Sequence, residues 1–229
     1  MDFSLSARRL GISASAGIVL LGLAYAVTLI VGLLSLQSPQ QPIGGWCFSI
    51  LELLILLVGP LAVVLMVAVH AWAPPEAKAY SLTALVFMGL LCGLTCSIHF
   101  VILTVGRQIA PADLARSALF LSFKWPSAAY ALDIVAWDVF FGLAMLFAAP
   151  VFRGSRLATS IRILMIASGV LALVGLSGVV VGDMQLRMIG VIGYAAIFPV
   201  VALLLAILFM RTEAVTSSGL ADVTLPREA

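Results

Sequence analysis

Six long apolar runs separated by short polar breaks set the pattern of this chain. They extend over Ser13 to Leu36, Cys47 to Trp72, Ser81 to Gly106, Ser127 to Phe152, Ile161 to Gly182 and Met188 to Met210. Each meets the roughly 20 apolar residues that a helix needs to cross a bilayer core. The strands of a membrane barrel would alternate apolar and polar positions over segments of about ten residues. No such segment occurs. The pattern predicts an all-α polytopic membrane protein, a bundle of six transmembrane helices.

The breaks agree with this reading. Gln37-Ser38-Pro39-Gln40-Gln41-Pro42 is a polar loop, Ala73-Pro74-Pro75-Glu76 stops the second helix, and Arg153-Gly154-Ser155-Arg156 separates the fourth and fifth. Val181-Gly182-Asp183-Met184-Gln185 is so short that helices five and six must form a tight antiparallel hairpin. In the longest connection, Arg107 to Pro126, Pro111 fits a first-turn position. There Leu114, Ala118 and Leu121 recur at helical spacing opposite Asp113, Arg116 and Ser117, which predicts a short interfacial helix between helices three and four. Residues 1–210 read as a single transmembrane domain, and 211–229 as a disordered cytoplasmic tail with too few large apolar residues to pack. Arg8 and Arg9 precede a run about twice the length of a signal h-region, with no small-x-small site at Leu36-Gln37-Ser38. The first helix is expected to stay uncleaved.

Composition excludes whole classes of function. The chain of 229 residues is 63% hydrophobic and 10% charged, with a mean hydropathy of +1.23. Soluble domains run near 45–50% apolar and about 25% charged, so a water-soluble enzyme is ruled out. Disorder over the whole chain is ruled out with it. Twelve Lys and Arg against ten Asp and Glu, without a basic run, give no footprint for nucleic acid. The lipid bilayer is the partner the composition implies, and a homo-oligomer or a larger membrane complex stays open. Cys47, Cys92 and Cys96 form neither a disulfide framework nor a CxxC pair.

Positive charges near the span ends suggest an orientation. Arg8, Arg9, Lys78, Arg153, Arg156, Arg162 and Arg211 fall on one side, against Arg107, Arg116, Lys124 and Arg187 on the other. Seven against four places both termini in the cytoplasm. Trp46 and Trp125 then belong to the outer aromatic belt, and Trp72 and Tyr80 to the inner one.

Small residues mark close helix contacts in lipid. Gly89-x3-Gly93, Gly178-x3-Gly182 extended by Gly175, the pair Gly190 and Gly193, and the stripe Ala24, Thr28 and Gly32 are the expected packing faces. Gly59-Pro60 and Pro199 lie inside spans and are expected to kink them and free backbone carbonyls.

Ionisable groups inside spans are costly, and they are the functional candidates here. Glu52, His99 and Asp133 lie at one level, roughly 8–10 Å below the outer boundary at about 1.5 Å per residue. They belong to sequential helices, and on helix three His99 shares a stripe with Cys92, Cys96, Gly89, Gly93 and Arg107. A Glu52–His99–Asp133 cluster follows as a geometric expectation. Asp133 shares a face with Tyr130 and Trp137, whereas Asp138 points about 140° away at 100° per residue. Asp138 is then a second, separate carboxylate, with Tyr25 or a residue near Tyr194 as candidate partners. Three readings of the cluster stand: a register-fixing ion pair, a protonation or substrate site, and a metal site of His99, Glu52 and Asp133 with Cys96. No cofactor is predicted. A bis-His haem is excluded, because His70 and His99 differ by about 16 residues in depth, or roughly 24 Å.

Two stretches carry a resemblance. Ala136-Trp137-Asp138-Val139-Phe140-Phe141-Gly142-Leu143 with Pro150-Val151-Phe152 is one. The other is Gly182-Asp183-Met184 with Gly190-x2-Gly193-Tyr194 and Phe198-Pro199. They resemble uncharacterised small multi-pass bacterial membrane proteins, which implies an inner-membrane location and no activity. Thr95-x3-His99 with Asp133 also resembles the Ser-x3-His and Asp elements of ceramidase-like membrane metallohydrolases. Those need a further His-x3-His on a late helix, and this chain has no histidine beyond His99.

The functional expectation is small-molecule or proton-linked transport or sensing through the outer polar cluster. A membrane-embedded metal-dependent hydrolase and a structural subunit of a membrane complex are the alternatives. The orientation carries its own test. Cysteines introduced as Gln41→Cys, Ser117→Cys and Gln185→Cys are expected to label with an impermeant reagent from outside the cell, and labelling from the cytoplasmic face alone would invert the topology.

Overall fold

The computed structural model describes residues 3–38, 43–109 and 114–212, and these form an all-helical bundle. Among the described residues, six helices are long and apolar enough to cross a membrane: α1 (Leu5–Leu34), α2 (Gly45–Trp72), α3 (Pro75–Gln108), α5 (Ala128–Val151), α6 (Arg156–Val181) and α7 (Met188–Arg211). Between α3 and α5 lies the short helix α4 (Leu114–Leu121), where helical spacing predicts one. Pro111 and Asp113, and the tail from 213 onward, lie outside the described residues.

Helix starts follow local chemistry. Ser4, Ser127 and Ser155 each accept an N–H from the first turn of α1, α5 and α6, at 3.1–3.2 Å, which satisfies donors that have no carbonyl within the helix. Pro75 opens α3, where a missing N–H costs nothing. At the other end, α7 is closed by Arg8 of α1, whose guanidinium donates to the carbonyls of Phe209 and Met210 at 2.9 and 2.8 Å. With Phe3 and Phe209 rings 5.4 Å apart, the beginning of α1 and the end of α7 share one side of the bundle.

Each transmembrane helix packs chiefly against its neighbours in chain order, and α7 returns to α1. The result is a closed ring: α1, α2, α3, α5, α6, α7. Toward the terminal side the ring is filled by Leu65, Met66, Met88, Met145, Leu205 and Phe209, all buried. Toward the far side it holds the polar residues and an open space.

Glycines set the closest contacts, though not all those expected. A Cβ on Gly169 would lie 2.7 Å from the Gly142 carbonyl oxygen, and one on Gly193 2.6 Å from that of Ser168, so α6 meets α5 and α7 backbone to backbone. Ser168 reinforces the second contact by donating to the Gly193 carbonyl at 2.8 Å. Gly89 and Gly93, by contrast, are exposed, and a Cβ on either would meet open space among the described residues. Their GxxxG spacing does not mark a packing face, because α3 turns Met88, Leu91 and Thr95 inward instead. In α1, Gly32 packs on Ile43 and Cys47 but Ala24 faces outward.

Pro60 sits within an unbroken α2. Its missing N–H leaves the Leu56 carbonyl without a helical donor, and the Cys96 thiol supplies one at 3.8 Å. Gly59 makes room, since a Cβ there would lie 3.2 Å from the same sulfur.

The glycine contacts separate two substitutions of equal size. Gly169→Ala is expected to destabilise by about 1–3 kcal/mol through overpacking against backbone. Gly89→Ala should be neutral or gain up to about 1 kcal/mol from helix propensity. Unfolding of the two variants in detergent checks both; equal effects would mean that the close crossing at Gly169 does not hold the helices.

Candidate functional site

Two of the helices that carry polar residues are not regular. In α5, Val135–Phe140 is π-helical, with the Phe141 N–H reaching the Ala136 carbonyl. In α7, Ile192–Ile197 is π-helical and runs into Pro199. A π-turn bonds i to i+5 and so brings residues five apart onto one face. The 140° separation expected of Asp133 and Asp138 is thereby overturned. Both carboxylates face the same partner, and a regular helix would have parted them.

That partner is Arg187, which the charge count assigns to the outer side. It precedes α7 and is only 6% exposed. Its Nε donates to Asp138 Oδ2 at 2.9 Å, one Nη to Asp133 Oδ2 at 3.3 Å and the other to the Tyr130 hydroxyl at 2.9 Å. The guanidinium carbon also lies 4.7 Å from the Tyr130 ring centroid. A compact turn delivers it. Gly182 adopts φ +78°, the Asp183 carboxylate accepts the Gln185 N–H at 2.9 Å, and the chain folds back so closely that a Cβ on Gly178 would meet the Arg187 nitrogen at 2.9 Å. The sequence does hold a signal for it: three carboxylates in spans with one histidine need another cation, and Arg187 flanks the glycine-rich start of α7.

Glu52, His99 and Asp133 do come together. His99 is 2% exposed and Glu52 4%. His99 Nδ1 lies 2.7 Å from Glu52 Oε2, and Nε2 lies 3.5 Å from Asp133 Oδ1 without completing a hydrogen bond. The imidazolium is the form that presents a proton toward both carboxylates. Phe123 stacks on the ring at 4.9 Å between centroids. The cluster therefore runs Glu52–His99–Asp133–Arg187–Asp138 across four elements, three carboxyl groups around one arginine and one histidine.

The remaining candidates divide. Trp137 donates from Nε1 to Thr95 Oγ1 at 3.0 Å and packs against Tyr194 at 5.2 Å, forming part of the cavity wall. Cys96 is engaged instead with the Leu56 carbonyl and with Cys92, 3.9 Å away. His70 bonds Ser81 at 2.9 Å through Nδ1. As for a metal, the carboxylates flank opposite nitrogens of His99, and among the described residues no three His, Cys, Asp or Glu side chains converge on one point.

A cavity of about 590 Å³ occupies the far half of the ring. Glu52, His99, Asp133, Arg187 and Tyr130 form its polar wall, while Asp138 is sealed behind them at 0% exposure. Asp138 Oδ1 has no hydrogen-bond donor among the described residues and lies against the α6–α7 crossing, where a Cβ on Gly190 would clash with it. A stripe of α1 (Ile18, Gly22, Tyr25, Ala26, Leu29) closes the opposite side. Phe48 and Phe123 also line a shallower groove between α2, α3 and α4, so they partition the two spaces.

Comparison with protein-family models, with curated proteins and with solved structures finds no match to this chain. Its six spans make it an integral membrane protein.

Arg187→Met would leave Asp133 and Asp138 buried without their cation. A loss of about 3–5 kcal/mol is expected, and Asp138→Asn added to it should restore much of that stability. Denaturation of the single and double variants in detergent measures both; a single variant as stable as the parent would show that the pair does not constrain the fold.

Proposed function

We propose that this protein binds a small molecule in the cavity within its ring of helices and couples that binding to protonation of the Glu52–His99–Asp133 group, as a transporter or sensor. One observation carries the reading: Glu52, His99 and Asp133 are not sealed in packing but form the wall of a cavity of about 590 Å³, within the about 300–1,000 Å³ of small-molecule sites. Ionisable groups in a bilayer that face a cavity mark ion, proton or substrate paths. The make-up of the cluster supports proton linkage, since three carboxyl groups and a histidine, all titratable, pack around a single arginine.

On this reading the cluster has two halves with different duties. Arg187, at the cavity wall, and Asp138, sealed behind it, tie the α6–α7 turn to α5. Glu52, His99 and Asp133 face it and exchange the proton. The orientation proposed has both termini in the cytoplasm of a bacterial inner membrane and the cavity in the outer leaflet. A metal-dependent hydrolase is less well supported, because the carboxylates bracket His99 instead of sharing a ligand position with it.

Trp137 reports on the cavity directly. In a variant carrying Trp46→Phe, Trp72→Phe and Trp125→Phe, its emission is expected to change with pH, and Glu52→Gln to abolish that change. Emission independent of pH wherever the protein stays folded would defeat the proton-linked reading.

A further inference from the structure

We infer that the ligand class of this cavity is an organic ammonium cation carrying an apolar body; the inference rests on the small-molecule reading above and names its ligand. The cations of the site are already spent. Arg187 has one nitrogen on Asp138, one on Asp133 and one on Tyr130. His99 has a carboxylate at each nitrogen. Both cations therefore already face carboxylates, although His99 Nε2 completes no hydrogen bond to Asp133.

The acceptors are in the opposite condition. Glu52 gives one oxygen to His99, and its other oxygen has no hydrogen-bond donor among the described residues, on a cavity-lining side chain that is only 4% exposed. Over the whole cluster, three carboxyl groups stand around one arginine and one histidine. A low-dielectric site with a surplus carboxylate draws a cation and repels an anion.

The other walls choose the kind of cation. A hard inorganic ion such as calcium needs about six or more oxygens, and no such shell converges among the described residues. The rest of the lining is largely aromatic and aliphatic instead: Tyr25, Trp137, Tyr194 and Phe198, with Leu29 and Ile55. Aromatic faces attract an ammonium group through their quadrupole, and quaternary ammonium ligands are held in this manner. Neither the Tyr25 nor the Tyr194 hydroxyl bonds another described residue, so both edges remain open to a ligand. The aliphatic stripe of α1 accommodates the apolar body.

The test uses the full chain in a non-ionic maltoside and three probes of one shape. These are benzyltrimethylammonium, its neutral carbon analogue neopentylbenzene, and benzenesulfonate as the anion. Binding is read from saturable thermal stabilisation and from Trp137 emission. The cation is expected to bind at least about tenfold more tightly than the other two, and Glu52→Gln to weaken it by at least about tenfold, as loss of a desolvated charge partner does. Should that variant fail to fold, Tyr25→Leu is expected to weaken the cation several-fold with little effect on the neutral probe. Equal or tighter binding of the neutral or anionic probe overturns the cation while leaving a small-molecule cavity in place. No saturable binding of any probe, with the pH transition of Trp137 intact, also overturns it; loss of that transition as well overturns the reading beneath it.

Discussion

Burying an arginine between two carboxylates of one helix is the constraint from which the far half of this bundle follows. Ions withdrawn from water lose several kcal/mol of hydration each, which is recovered only by close and complete pairing. Arg187 reaches that condition with Asp138, Asp133 and Tyr130 together. Satisfying all three directions requires the α6–α7 turn to fold inward, which a side chain at Gly178 would block. It also requires α6 and α7 to touch closely enough that Gly175 and Gly190 have no room for a Cβ. The glycines of the hairpin are thus tied to the charge they enclose.

The π-turns answer the same demand from the other side. Asp133 and Asp138 serve one guanidinium because Val135–Phe140 widens the helix between them. A second widened stretch, Ile192–Ile197, sets Tyr194 against Trp137 and ends beside Pro199. Each inserted residue costs helical regularity, and π-turns inside α-helices are frequent at functional sites. Here both border the cavity, where an irregular backbone places side chains that a regular helix would send elsewhere.

The chemistry then separates by depth behind the cavity wall. Asp138 is out of reach of the cavity, while its partner Arg187 forms part of the wall. Glu52, His99 and Asp133 share electrostatics with that pair through Arg187, yet border open space. On the proposed reading, a change of charge at Glu52 would pass to α7 through His99, Asp133 and Arg187. That connection is what a binding event needs in order to move helices or to be sensed at a distance.

The six spans, the short helix before α5 and the meeting of Glu52, His99 and Asp133 are legible in the amino-acid sequence. Hydrophobic length and helical rise depend only on composition along the chain, so depth in the bundle can be counted from residue numbers. Three features are not legible there. Arg187 reads only as one of four positive charges on the outer side, because its place next to a turn says nothing of whether the turn folds inward. Asp138 reads onto another face, because a 100° step assumes a regular helix and a π-turn depends on the partner that stabilises it. Gly89 and Gly93 suggest a packing face yet point outward, since glycine spacing permits close approach without choosing a neighbour. Each of these is decided by contacts between helices: local sequence sets how long a helix is and how deep its residues lie, while rotation, turn direction and charge pairing are settled only when the other helices arrive.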